Sequence, residues 1–324
     1  MKTKGFAAFA CILAALASLC LGAAALTPAQ LLQAVLGGTD TVAGRIFWFS
    51  RLPRTAACLL AGAALSTAGC VIQNVLCNPL ASPNIIGVNA GAGLAVTVCG
   101  ALGFLSGWAM AGAAFLGAFA AVLAVSFAAK LAGASRTTVI LAGVAVNAFL
   151  GAMRDTVTDL VPEAAALSSD FRVGGFGSVD PARLVPAGIL ILLALGAALL
   201  LTNELEVLSL GEDTARSLGL NAARMRTVFL ALAAVLCGAA VSFAGLLGFV
   251  GLIVPHAVRR FAGTRCRVLL PLTALWGGAF VTVCDLIARL AFRPRELSVG
   301  ILLSALGGPF FLYILAKRGR GSAC

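Results

Sequence analysis

Ten stretches of about twenty mostly apolar residues, set between short segments that hold most of the charge, constrain this chain more than any other feature it has. An α-helix of roughly 20 apolar residues crosses the hydrocarbon of a bilayer. Backbone in that medium has no water to bond with, so helices that satisfy their own N–H and C=O groups are the form that fits. The spans fall near 6–26, 53–76, 85–105, 109–131, 137–153, 183–202, 224–243, 246–261, 268–290 and 297–316. The period-two alternation of a barrel strand is absent. With 61% hydrophobic and 11% charged residues and a mean hydropathy of +1.05, the chain has too little polar surface for a water-soluble domain of 324 residues. The expected fold is an all-α polytopic membrane protein of about ten transmembrane helices, forming a single domain over 1–324.

The N-terminal run resembles a signal peptide, with Lys2 and Lys4 before Phe6–Leu26. Cleaved signals carry shorter apolar cores of about 7–15 residues, so this run reads as a retained first helix. The eighth span is short and includes Gly245, Gly248, Gly251 and Pro255, which predicts a bent or partly unwound segment. An even number of spans puts both termini on one side. Placing that side in the cytoplasm gives it all four lysines and the larger share of the arginines, as positively charged inner loops require. The formal charge of +11 then belongs to loops around membrane spans and not to a nucleic-acid surface. The ten cysteines form no C-x-x-C, and most (Cys11, Cys20, Cys58, Cys70, Cys99, Cys237, Cys284) lie in apolar runs as small packing residues. His256, the only histidine, has no Cys or His neighbour to share a metal and reads as structural.

Three stretches carry more specific information. In the first, Arg51-Leu52-Pro53-Arg54 opens a helix at the outer surface. That helix runs inward past Gly62, Ser66, Gly69 and Gln73 to a sharp turn at Asn78-Pro79, where proline cannot continue it. Gly62 with Ser66, and Gly87 with Gly91, have the spacing that lets helix backbones approach closely. The second stretch, Leu210–Leu220 followed by Arg224 and Arg226, is a polar loop with helical content. Leu210, Ala215 and Leu218 suit one apolar face there, and Gly211 and Gly219 act as breaks. The third runs Phe249–Arg260 and continues through Asp285, Arg289, Glu296, Val299-Gly300 and Gly307–Phe311.

Together these stretches resemble the permease family of bacterial ABC importers for ferric siderophores, haem and vitamin B12, from about residue 45 to 316. The resemblance implies the type II ABC importer permease fold. It also implies a working assembly of two permeases, a homodimer or a pair of similar chains, with two cytoplasmic ATPase subunits and a periplasmic or lipid-anchored substrate-binding protein. The chain has no G-x-x-x-x-G-K-[ST] phosphate loop, so ATP and Mg are expected on the partner subunit and no cofactor in this chain. By the same resemblance Arg51, Arg54 and Arg289 meet acidic residues of the binding protein. A coupling loop at about 205–221, with Leu210, Gly211, Glu212, Ala215, Arg216, Leu218 and Gly219, fits the ATPase. Asn78, Pro79, Leu80, Ser135, Thr137 and Thr138 resemble the cytoplasmic gate. Asn89 and Asn147, polar within spans, can line the ligand path or bond between helices. Asp285, one turn before Arg289, can hold that arginine instead. Two positions depart from the family pattern: Ser298 stands where a proline is usual, and Phe171-Arg172-Val173-Gly174-Gly175 replaces a tryptophan-bearing segment.

The function this implies is the membrane-spanning half of an ATP-driven importer, with a ferric siderophore ranked ahead of haem and cobalamin. An ion-coupled secondary transporter would need acidic or histidine relays within spans, and only Asp285 is a candidate. An integral-membrane enzyme would need a nucleophile–base pair or a metal cluster, and none is evident in the sequence.

Overall fold

The computed structural model describes residues 2–22, 26–104, 106–132, 136–177, 179–291 and 295–321. Every regular element among them is helical: α1 (Lys2–Cys20), α2 (Pro28–Leu36), α3 (Val42–Ile46), α4 (Leu52–Val75), α5 (Val88–Ala101), α6 (Gly107–Leu131), α7 (Arg136–Leu160), α8 (Pro162–Val173), α9 (Pro181–Leu200), α10 (Thr202–Ser209), α11 (Glu212–Ser217), α12 (Ala222–Ala244), α13 (Val250–Ala262), α14 (Cys266–Leu290) and α15 (Val299–Gly321). Each expected span has a helix in its place. Six of the described helical runs are long and apolar enough to cross a membrane, and the apolar parts of α1, α5 and α15 are shorter.

The hub is α4, which packs against α1, α9, α12, α13 and α14. Its contacts are close because small residues face small residues. A Cβ on Gly62 would overlap the Gly277 carbonyl of α14, and one on Gly69 would overlap Gly251 of α13. Ser66 adds a hydroxyl that donates to the Thr273 carbonyl at 2.9 Å. Gly91 of α5 approaches Gly117 of α6 in the same way. Both small-residue pairs read from the sequence therefore have identified partners.

Several expectations change in detail. Pro53 does not open a helix. The backbone is helical from Val42 onward, with a π turn at Phe47–Arg51 where Leu52 N–H bonds to the Phe47 carbonyl. A wider turn just before proline relieves the clash its ring would make with the preceding carbonyls. α7 runs seven residues past the expected 153, so Arg154 is helical, and α8 was not anticipated. Its sequence is only weakly apolar and lacks a helical period long enough to stand out.

Two segments leave the helical form deep in the bundle. α5 begins only at Val88, and α13 only at Val250 after the non-helical stretch 245–249. At 13 residues, α13 is about 20 Å long, well short of the ~30 Å hydrocarbon. The eighth span is thus partly unwound, as its glycines predict. The turn 78–87 folds back into the interior, with Ala81 and Ile86 fully buried and Pro83 close to Gly251. Irregular backbone at that depth persists only where protein satisfies it. Asn147 of α7 does so, its amide donating to the Asn84 carbonyl at 2.7 Å.

Candidate functional site

Pro255 lies inside α13 and has no N–H to give the carbonyl four residues back, that of Gly251. Gln73 of α4 replaces the missing donor, its Nε2 reaching Gly251 O at 3.1 Å. The Gln73 Oε1 in turn accepts from Arg259 of the next α13 turns. One side chain therefore completes the α13 backbone and fixes it to the hub. His256 adds an edge-on contact to Phe310 of α15, with ring centroids 5.9 Å apart.

At one end of the bundle the arginines form a closed ionic cluster. Arg54 reaches both oxygens of Asp285 at 3.0–3.2 Å and Glu296 at 2.7 Å. Arg289 is in ion-pair contact with Asp285 at 3.0 Å and donates to Ser18 of α1 at 2.7 Å. Arg51 donates at 2.7 Å to the carbonyls of Leu19 and Cys20, the last of α1. A cation at that helix end satisfies orphan carbonyls and suits the negative pole of the dipole. Arg51 and Arg289 are each 3% exposed and Asp285 1%. Arg51 and Arg289, two of the three arginines expected to meet a binding protein, are buried and engaged inside the chain. Arg289 is held by Asp285 as the i,i+4 spacing allows. Asp285, set between two guanidinium groups, is poorly placed as a proton relay.

Beside this cluster lies a cavity of about 380 Å³ of mixed lining, with Arg54, Glu296, Ser298 and the segment 173–177 around it. The two departures from the family pattern meet here. The Ser298 hydroxyl donates to the Gly174 carbonyl, which also accepts from Gly300 N–H at 3.3 Å. Gly174 has φ +71°, a conformation that glycine adopts without strain. Gly175 N–H bonds to Ala244 O at 2.8 Å, and Leu246 N–H to Phe171 O at 2.9 Å, so the segment 171–175 is stitched to the unwound stretch before α13. These bonds join positions far apart in sequence, 124 residues for Ser298 and Gly174, and have no local signature.

At the opposite end, α10 and α11 form a hairpin. α11 closes with a left-handed glycine: Gly219 N–H bonds to Arg216 O and Leu220 N–H to Ala215 O, both at 2.9 Å, with Gly219 φ +81°. Glu212 bridges Arg216 at 2.9 Å and the buried Arg226 of α12 at 2.6 Å, which fixes the hairpin to the bundle. Leu210, Ala215 and Leu218 do not share one face. Ala215 is fully buried, and Leu210 and Leu218 project at 62% and 63% exposure. A six-residue helix is too short for the expected stripe, and its inner side is filled by the smallest of the three.

The turn after α4 touches this hairpin. Cys77, at φ 45°, ends α4, and its thiol donates to the Ser209 carbonyl at 3.2 Å. Asn78 accepts from Leu80 N–H at 3.0 Å, tightening the turn through Pro79. Thr137 and Thr138 stand at the start of α7, exposed and half-buried respectively, while Ser135 lies outside the described residues. Asn89 lines a small cavity between the turn and the unwound stretch, along with Phe249 and Gly251. Asn147 is engaged with the turn backbone, so bonding between elements is its visible role.

An all-helical membrane bundle with irregular backbone at its centre and a rigid hairpin projecting from one end is the architecture of a transporter's membrane-spanning subunit. The chain belongs to the FecCD transport family, whose model matches residues 10–317. It is 36% identical over 318 residues to the ferric enterobactin transport system permease protein FepD of Escherichia coli strain K12, covering 96% of this chain and 94% of that one. It is 37% identical over 321 residues to the vitamin B12 import system permease protein BtuC of Escherichia coli strain K12 / DH10B, covering 95% and 93%. A solved structure described as a metal-chelate type ABC transporter in an inward-facing conformation superposes with a TM-score of 0.86 at 26% identity, covering 98% of this chain and 99% of that one. The chain is an ABC transporter permease subunit of the type II importer fold, with ATP hydrolysis on a separate chain. Permeases of this family work with ATPases and binding proteins, often as dimers.

Proposed function

We propose that this permease carries an iron chelate, a ferric siderophore ahead of haem or cobalamin, inward across the bacterial cytoplasmic membrane by alternating access. Similarity to a ferric enterobactin permease and to a metal-chelate type transporter supports the iron reading. Comparable identity to a vitamin B12 permease keeps cobalamin as the specific alternative. Both termini face the cytoplasm, as the lysine distribution favours.

The observation that carries the mechanism is the hairpin. Two leucines project from a short element that a salt bridge and a glycine cap hold rigid, which is the form a docking knob on a soluble ATPase needs. ATP and Mg act on that ATPase subunit, two of which serve two permeases. The turn at Asn78, Pro79 and Leu80, with Ser135, Thr137 and Thr138, forms the cytoplasmic gate. The contact between Cys77 and Ser209 supports this, since it places the turn against the hairpin. The second permease is an identical copy, and the outward-facing α7 supplies much of the shared surface: 11% of its span is buried, against 78% of the span containing α4. A periplasmic or lipid-anchored binding protein delivers the chelate at the arginine end. Of the three arginines expected to meet it there, Arg54 is the most accessible, with a side chain 11% exposed against 3% for Arg51 and Arg289.

Two measurements test this. Changing Leu218→Glu should abolish co-purification with the ATPase while the permease still folds; retained assembly and uptake would refute the hairpin's role. Uptake of labelled ferric siderophore and labelled cobalamin, compared in cells with and without the gene, should fall for the siderophore alone. Loss of cobalamin uptake alone would replace the substrate and keep the mechanism.

A further inference from the structure

We propose that the groove between α6 and α12, at the hairpin end of the bundle, is a binding site for an anionic phospholipid. The groove encloses about 650 Å³. Its floor is apolar, formed by Leu230 and Ala231, its walls include the exposed Leu123 and Phe127, and its rim carries Lys130 and Arg224. Both rim residues are exposed, and neither forms an ion pair with a carboxylate among the described residues. An acyl chain fits the floor, and a phosphate headgroup fits the rim. Arg226, which also lines the groove, is occupied by Glu212 and serves as wall.

Two further observations favour an anion. Arg224 stands in the first turn of α12, where the helix dipole disfavours a cation. A phosphate between Arg224 and Lys130 relieves that repulsion. The protein also provides its own comparison. A groove of about 580 Å³ between α5 and α6 has no charged residue in its lining, so it offers an apolar wall and nothing to select a headgroup. Basic residues at the rim of an interhelical pocket are the arrangement that recognises acidic lipid headgroups.

The test uses the purified full-length chain, stripped of lipid and exposed to equal amounts of phosphatidylglycerol and phosphatidylethanolamine, with retained lipid read by native mass spectrometry. The wild type should retain phosphatidylglycerol preferentially. The exposed double change Lys130→Gln with Arg224→Gln should lower that retention several-fold. The charge-conserving pair Lys130→Arg with Arg224→Lys should preserve it. So should Arg260→Gln with Arg265→Gln, two exposed arginines elsewhere at the same end. Equal retention across all variants, or equal retention of the two lipids by the wild type, overturns the site. Displacement by inorganic phosphate overturns the lipid assignment. A fall from two-copy to one-copy mass in the Gln variant, without a change in retained lipid, assigns the groove to a second permease and also overturns it.

Discussion

Asp285 is a buried carboxylate held between two arginines. It is 1% exposed and contacts Arg54 and Arg289 together. Asp285→Asn keeps the shape and removes the charge, which leaves a buried arginine without an anion. Breaking a buried pair in this way costs about 3–5 kcal/mol. The expected outcome is a fall of that order in unfolding free energy in detergent, with a smaller loss when Arg289→Met is added. Ser298 offers a finer test. Its hydroxyl bond to Gly174 is worth about 0.5–1.5 kcal/mol, so Ser298→Ala should lose that amount. Ser298→Pro should lose no more, since proline is at ease at a helix start. Unfolding of the two variants side by side checks this. The residue types in both places were legible in the sequence, and so was the Asp285–Arg289 spacing. The third member, Arg54, was not, because 231 residues separate it from Asp285 and nothing local records their meeting.

At the scale of elements, glycine pairs decide which helices touch. Gly69→Val would drive a side chain into the Gly251 backbone of α13, where no flexible neighbour can yield. Overpacking of this kind costs about 1–3 kcal/mol or more. The expected result is a less stable protein in which α13 amides exchange faster with solvent, as hydrogen exchange would measure, while Gly112→Val, which meets open space, has little effect. The spans themselves were readable because hydrophobic runs of membrane length are strong signals. Pro255 and three glycines flagged the weakness of the eighth span. Its remedy was invisible: that Gln73 would lend a hydrogen bond to another helix follows only from how α4 and α13 cross. The hairpin face was misread for a related reason. A periodic pattern indicates which residues share a side, but a helix of six residues is too short to enforce it.

For the whole molecule, the uneven burial of the helices is informative. α7 carries large exposed residues along its length, Leu141, Val144 and Phe149 among them. If a second copy covers that surface, Val144→Lys should convert a two-copy particle in detergent into a one-copy particle, measured as mass by light scattering. An unchanged mass would place the shared surface elsewhere. The contact between Cys77 and Ser209 has a mechanical meaning at this scale. Among the hairpin's attachments to the bundle, Ser209 meets the turn that re-enters it, and Glu212 meets α12, which spans it. On the coupling role proposed for it, a displacement imposed on the hairpin from below would act through both contacts, on the central backbone and on the full-length strut beside it.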